Sequence, residues 1–139
     1  MPLFVREGAI VPMLLTEVQT LCDSDYVNNP NIGTPDSGLQ FLIYPAGASQ
    51  FTVYDGTNIQ CQAMGGKLTV TLSSVVARKV ILQLLADEPT TVDREGTPLA
   101  KLATTAQFDA AVSGWRADAH SRLVFIKFEH AGGVTKINL

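Results

Sequence analysis

The chain has 139 residues, of which 46% are hydrophobic and 17% are charged, and its formal net charge is −3. This length corresponds to one globular unit, or to one domain joined to part of another. The slight negative charge argues against a nucleic-acid-binding protein, which normally has a basic face. No stretch reaches the roughly 20 apolar residues that a transmembrane helix requires, so we expect no membrane partner.

Short β-strands dominate the expected secondary structure. Residues 67–73 alternate strictly between polar and apolar side chains, as a half-buried strand does. Other segments are rich in β-branched and aromatic residues, which favour strands. They are residues 39–44, 50–54, 80–85 and 122–128, and residues 133–139 can form a last strand.

Turn residues separate these segments at short intervals. Gly65 and Gly66 predict a tight hairpin, because glycine reaches positive φ without strain. Further hairpin turns are predicted at residues 93–96, 118–121 and 132–133. Strands at a spacing of about 8–12 residues indicate a β-sandwich or barrel. We predict an all-β fold, namely an antiparallel β-sandwich of two sheets with about eight to ten strands.

Two stretches depart from the strand pattern. Residues 100–111 are rich in alanine and contain Thr-Thr-Ala-Gln, a helix-capping signal. Because they lie between predicted strands, we expect them not to be helical. Residues 23–38 hold three Asp, three Asn, two Pro and two Gly, which predicts a loop or linker.

Four sequence segments resemble glycoside hydrolase family 31, in the family's order. PLFVREGAIVPM at residues 2–13 resembles the family's "PLFVRxGAIIP", which follows the catalytic barrel. The later segments resemble strands and turns of the family's C-terminal β-domains. One of these departs from the family pattern, since the acidic "YEDDG" is shortened here to YDG, which suggests a divergent branch. The later segments are LIYP with FTVYDG at 42–45 and 51–56, EPTTV with EG at 88–92 and 95–96, and GW with LVFIKF at 114–115 and 123–128.

The resemblance implies a position in a larger enzyme rather than an activity. In that family the nucleophile and the acid/base are aspartates on a (β/α)8 barrel, and a barrel needs about 250 residues. The resemblance implies that residues 1–38 are the remnant of a proximal C-terminal β-domain plus a linker loop. Residues 39–139 would then form the distal C-terminal β-sandwich. We therefore expect a non-catalytic accessory domain that buttresses the catalytic barrel of a parent polypeptide, without a cofactor.

Compartment is left open by the sequence. Members of the resembled family are often secreted or periplasmic, and the sequence shows no signal segment at its start.

Two other functions stay open, a free-standing carbohydrate-binding module and a truncated fragment with a protein-interaction role. Carbohydrate modules stack sugar rings on exposed aromatic side chains and bind hydroxyls with carboxylate and amide groups. A module of this kind should show a row of two or three exposed aromatics. The candidate sugar contacts are Trp115, Tyr44, Tyr54 and Asp55, although Trp115 at a strand start also suits a core position.

Catalysis by the chain alone is the least favoured hypothesis. Glycoside hydrolysis needs two carboxyl groups facing each other across a cleft. The acids here lie mostly in turns, where Asp bonds the local backbone. His120 and His130 each lie beside a predicted turn with no nucleophile elbow nearby, so we predict solvated histidines.

Metal binding and disulfide formation have weak signals. The loop residues Asp23, Asp25 and Asn28 offer oxygen ligands, but the spacing of an EF-hand is missing, so we predict no metal site. Cys22 and Cys61 lack the CxxC spacing of a zinc site. Two buried thiols are the favoured interpretation, and one bridge between them stays open.

The opening segment supplies the docking candidates Phe4, Arg6 and Ile10. A charge in an apolar strand must find a partner if it is buried. In the resembled family this segment packs near the barrel, which implies that Arg6 ties the two domains together. Exposed apolar neighbours would also permit a homo-oligomer through the N-terminal segment.

Overall fold

Two stacked β-sheets make up the part of the chain that the computed structural model describes, residues 4–14, 38–53 and 55–139. The predicted all-β sandwich is confirmed, with eleven strands and one short helix among these residues. The elements are β1 (Ile10–Leu14), β2 (Leu39–Ile43), β3 (Ala48–Thr52), β4 (Asn58–Met64), β5 (Lys67–Ser74), β6 (Arg78–Leu85), β7 (Asp93–Arg94), β8 (Thr97–Pro98), α1 (Thr105–Ala110), β9 (Gly114–Asp118), β10 (Leu123–His130) and β11 (Gly133–Asn138).

The first sheet has five strands in the order β1-β2-β6-β10-β9. Its neighbours are antiparallel except for β2 and β6, which run parallel with Phe41 opposite Leu82. A parallel pair needs a long crossover connection. Here that connection is β3, β4 and β5, which belong to the other sheet. The predicted antiparallel architecture therefore contains one parallel pairing.

The second sheet has six strands in the order β3-β4-β5-β11-β7-β8, all antiparallel. The predicted hairpin at Gly65 and Gly66 is correct, because Met64 pairs with Lys67 and the two glycines have φ of 59° and 77°. The turn predicted at residues 93–96 is also correct and joins β7 to β8.

One predicted hairpin is wrong. Residues 132–133 connect β10 to β11, but β10 lies in the five-stranded sheet and β11 in the six-stranded sheet. The glycine pair therefore carries the chain from one sheet to the other. A local turn signal reports that the chain bends, and it does not report which strand becomes the partner.

The core lies between the two sheets and is built from alternate strand residues. Each central strand buries every second side chain, as the period of two in a β-strand requires. Burial of one large apolar side chain contributes about 1.5–3 kcal/mol. The members exposed by 1% or less include Phe41, Ile59, Leu72, Leu82, Ile126, Phe128 and Ile137.

The segment expected to be non-helical contains the helix α1. Thr104 caps it, because the Gln107 backbone amide donates to the Thr104 hydroxyl over 3.1 Å. Phe108 is buried and packs edge-on against Phe125, with 6.2 Å between the two ring centroids. The capping signal and this one apolar anchor outweigh the strand-rich surroundings. Among the described residues, no helix is long and apolar enough to cross a membrane.

The opening strand is integrated into the sandwich. β1 pairs with β2 along its whole length, from Ile10 opposite Ile43 to Leu14 opposite Leu39. Most of the predicted linker lies outside the described residues. The division into residues 1–38 and 39–139 stays a prediction, but residues 10–14 form an edge strand of the same sheet as β2.

Candidate functional site

The two ends of the sandwich differ, and strand direction shows which residues share an end. At one end β4 begins, β5 ends, β6 begins and β10 ends. At the opposite end lie the β4–β5 hairpin and the last residue of β6. Polar side chains are buried at the first end, whereas the second end is open.

The first end contains an ion pair with little access to solvent. The Arg78 guanidinium donates to the Asp55 carboxylate over 2.5 Å, and the two side chains are 5% and 21% exposed. The Thr57 backbone amide donates to the other carboxylate oxygen over 2.9 Å. Burial alone raises the pKa of Asp55, but the Thr57 amide and the Arg78 guanidinium outweigh it and hold this pKa below its ordinary value.

His130 lies at the same end and is 1% exposed, so the prediction of a solvated histidine is wrong for it. Its Nε2 lies 3.1 Å from the Ser74 carbonyl oxygen, which can only accept, so Nε2 donates. The Thr135 hydroxyl lies 2.8 Å from Nδ1 and can donate to it. His130 is the inward-facing end of β10, a position that the neighbouring Gly-Gly obscures in the sequence. His120 is exposed, as predicted.

These groups form one buried polar cluster, which is structural in its chemistry. The Ser74 hydroxyl forms a hydrogen bond of 2.9 Å with the Thr57 hydroxyl. It also accepts a hydrogen bond of 3.1 Å from the Val76 backbone amide. His130 binds the Ser74 carbonyl rather than this hydroxyl, so no activated serine is formed. The buried polar cluster consists of the buried residues Thr57, Ser74, Arg78, His130 and Thr135 together with the partly exposed Asp55.

The opposite end carries an open cleft of about 650 Å³. The β4–β5 hairpin forms one wall and the segment after β6 forms the other. Asp87 pairs with Arg122 at 3.0 Å, and both side chains are mostly exposed. Glu88 pairs with Lys101, also near the surface. The end cleft is lined by Pro45, Ala63–Leu68, Leu85–Thr91, Arg122 and Leu139.

The N-terminal docking candidates Phe4, Arg6 and Ile10 have unlike environments. Phe4 is 88% exposed, and Arg6 is exposed as well. Ile10 is 8% exposed and belongs to the core of the sandwich. A turn at Glu7 and Gly8, anchored by the Gly8 amide on the Tyr44 carbonyl over 2.8 Å, separates the exposed part from β1.

The predicted sugar contacts are dispersed through the fold. Trp115 is 2% exposed, in the core, with Lys101 over its ring at 5.3 Å. Tyr44 is half-buried beside the end cleft, and Asp55 belongs to the buried polar cluster at the other end. Tyr54 lies outside the described residues. The described members therefore do not form one sugar-stacking platform.

Cysteine and metal chemistry is limited in the part of the chain that the structure describes. Cys61 is buried in β4, and burial raises the pKa of its thiol to about 11. A thiol with this pKa is a poor nucleophile at neutral pH. Cys22 and the loop residues Asp23, Asp25 and Asn28, for which we predict no metal site, lie outside the described residues. Within residues 4–14, 38–53 and 55–139, no group of three metal-ligating side chains comes together.

Comparison with known proteins shows similarity to enzymes that are much longer than this chain. No protein-family model matches the sequence. The isomaltosyltransferase of Sporosarcina globispora is 26% identical over 149 aligned positions, which cover all of this chain and 13% of that enzyme. The cycloalternan-forming enzyme of Listeria monocytogenes matches 96% of this chain with a TM-score of 0.78 and 27% identity, over 13% of its own length.

A GH31 dextranase of Flavobacterium johnsoniae has the same fold in this region. It matches 96% of the chain with a TM-score of 0.72 and 17% identity, over 19% of its own length. These matches confirm the resemblance to a β-domain of family 31 glycoside hydrolases that the four sequence segments indicated. The chain is thus similar to a domain-sized part of these enzymes, and it spans only 13–19% of their length.

Proposed function

We propose that the chain is a non-catalytic accessory β-sandwich of a family 31 glycoside hydrolase-like protein. Its function is to pack against a (β/α)8 barrel that acts on α-glucans and to buttress that barrel. The observation that carries the proposal is the match of 96% of the chain to only 13% of the cycloalternan-forming enzyme. Relatives bound to a pentasaccharide substrate and to isomaltotriose support α-linked glucose oligomers as the substrate of the barrel.

The open end of the sandwich is the proposed docking surface. Phe4 is 88% exposed, Met64 on the cleft wall is 82% exposed, and Leu85 is 41% exposed. Met64 and Leu85 both line the end cleft, and large apolar side chains exposed on one surface favour contact with another protein. Arg6, like Phe4, is exposed in the segment before β1 and can pair with a carboxylate of the barrel, as the family resemblance implies.

Co-purification from the source organism tests this proposal. We expect the tagged chain to be recovered together with a family 31 barrel, in one polypeptide or in a stable complex, identified by peptides that cover the barrel. The double variant Phe4→Ser, Arg6→Ala should weaken the contact with the barrel. In a complex, less barrel should then be recovered; in a single polypeptide, the enzyme should lose activity at a lower temperature. Val75→Ser is the matched control, because Val75 is 94% exposed at the opposite end.

Three results would contradict the proposal, and the first two concern the barrel. One is recovery of the chain as a 14.9 kDa protein with no barrel-bearing partner. The other is an equal effect of the Val75 control and the N-terminal variant, since the surface would then have no specific role. Glycosidase activity of the purified chain alone would also contradict it.

A further inference from the structure

The outer face of the six-stranded sheet carries an array of uncharged side chains that hydrogen-bond. In the strand register Gln50 of β3 is opposite Gln60 of β4, and Gln60 is opposite Thr71 of β5. One step along, Gln62 is opposite Thr69. These five residues alternate with the buried positions of β4 and β5, so they point away from the core. We call them the amide face.

The three glutamines keep their amide groups available. Within the described residues, the side chains of Gln50, Gln60 and Gln62 have no hydrogen-bond partner, and all three are exposed. They line a shallow depression of about 280 Å³ together with Ala48 and Ser49. A side-chain amide offers two donors and one acceptor oxygen, so the depression presents donors and acceptors side by side.

Thr69, a member of the amide face, and the polar residues that border this face already have hydrogen-bond partners within the chain. Thr69 donates to Asn138 over 3.2 Å, and Asn138 donates to Asp93 over 2.9 Å. On the other side Asn58 donates to Thr52 over 2.9 Å. These bonds orient the outer side chains and leave the glutamines in the middle as the groups able to bind a ligand.

Charge and polarity restrict the class of ligand. The amide face has no charged member, and Lys136 lies beside Thr71 at its border. A polyanion needs a cluster of cations, which this surface lacks. Docked proteins usually bury an apolar or aromatic centre, which is also missing here. A neutral chain of hydroxyl groups, each able to donate and accept, is complementary to such a surface.

We propose that the amide face binds a neutral α-glucan chain and holds it beside the enzyme of which this sandwich is an accessory part. The choice of an α-glucan among neutral polyols rests on the function proposed above. Strands are about 4.8 Å apart and alternate residues on one strand about 6.8 Å apart, so the glutamines form a regularly spaced array across which an extended chain can lie. Without an aromatic platform each sugar is held weakly, so a polymer that contacts several positions binds best.

Affinity electrophoresis of the 139-residue chain tests this inference, with dextran, an α-1,6-glucan, in the gel. We expect dextran to slow the chain, and we expect the double variant Gln60→Ala, Gln62→Ala to bind about tenfold more weakly. The matched control is Gln83→Ala, because Gln83 lies on the outer face of the five-stranded sheet. It should be slowed as strongly as the parent chain. Circular dichroism shows whether each variant is folded. If the double variant does not fold, the single variant Gln62→Glu replaces it in the same dextran measurement.

Several outcomes would overturn the inference. They are no retardation of the parent chain, equal retardation of the double variant, and stronger binding of dextran sulfate than of dextran, which would indicate an ionic contact. A β-glucan that slows the chain as much as dextran would remove the α-glucan assignment. Co-purification tests the docking to the barrel independently of dextran binding. The double variant Gln60→Ala, Gln62→Ala should bind dextran more weakly and should still co-purify with the barrel.

Discussion

The two ends of this sandwich solve the same physical problem in different ways. Strands stop at both ends, and the side chains there must either be covered within the chain or remain open. At one end the buried polar cluster pairs Arg78 with Asp55 and bonds both ring nitrogens of His130. At the other end the wall of the end cleft leaves Met64 82% exposed, and the pair of Asp87 with Arg122 lies in solvent.

We expect the two ends to have different roles. The end with the buried polar cluster, called the closed end below, should contribute to stability, and the open end should contact another molecule. Buried polar groups cost free energy when a partner is removed, so the closed end should tolerate substitution poorly. Exposed pairs contribute little, so the open end should tolerate substitution well and retain its capacity for contact with another molecule. The following predictions test this division in order of decreasing effect.

The largest effect is expected from Asp55→Ala, which leaves the Arg78 guanidinium buried without a counter-charge. Loss of one member of a buried pair costs about 3–5 kcal/mol, and partial exposure of Asp55 places the expected loss near 3 kcal/mol. Asp87→Ala is the control at the open end, with an expected change below about 0.5 kcal/mol. Urea unfolding followed by circular dichroism measures both. Equal losses would refute the distinction between the ends.

His130→Leu should reduce the free energy of unfolding by about 2 kcal/mol. The leucine fills a similar space but leaves the Ser74 carbonyl and the Thr135 hydroxyl without their partner. His120→Leu, at an exposed turn, should change stability by less than about 0.5 kcal/mol. A His130→Leu protein as stable as the parent chain would show that the polar bonds of the cluster contribute nothing net.

Acid should weaken the closed end through Asp55. Because the folded-state pKa of Asp55 is lowered, its contribution is present above the unfolded-state pKa of about 3.9 and is lost as the pH falls through the folded-state pKa. The stability difference between the parent chain and Asp55→Asn should therefore narrow below about pH 4. Urea unfolding at pH 6 and pH 3 measures it. If this stability difference is the same at pH 6 and pH 3, the lowered pKa of Asp55 does not contribute to acid sensitivity and the prediction is wrong.

The smallest change in stability is expected at the open end. Phe4→Ser combined with Met64→Ser should alter the free energy of unfolding by less than about 0.5 kcal/mol, because both side chains are exposed. The same variant should bind less of the dye anilinonaphthalene sulfonate, which reports exposed apolar surface. Val75→Ser at the closed end is the control. Equal dye loss in both variants would remove the open end as a distinct apolar surface.

Much of the fold could be predicted from local pattern. The alternation in residues 67–73 gave β5, and the Gly65-Gly66 pair gave the hairpin that precedes it. These features are local, because a two-residue period and a positive φ are properties of a few neighbouring residues. The family resemblance supplied the arrangement as a whole.

Two of the errors, at residues 132–133 and at His130, arose where the partner was distant in sequence. Residues 132–133 carry a hairpin signal, yet their strands join different sheets. His130 reads as a turn residue until its register against Arg78 of β6 shows that it faces the core. Neither Arg78 nor the glutamines of the amide face showed a local signal of function. Gln60 and Gln62 become one surface with Gln50 and Thr71 only when the sheet is assembled.

The position of β11 has a consequence for folding during synthesis. β11 lies between β5 and β7, so among the described strands the small hairpin of β7 and β8 joins the sheet through β11 alone. When the ribosome has released β1 to β10, the five-stranded sheet has all its strands, whereas the six-stranded sheet still has a gap in the middle. The edge of β5 then exposes unpaired backbone groups, which favour pairing with other chains. The six residues of β11 thus fill a gap on which the closure of the six-stranded sheet depends.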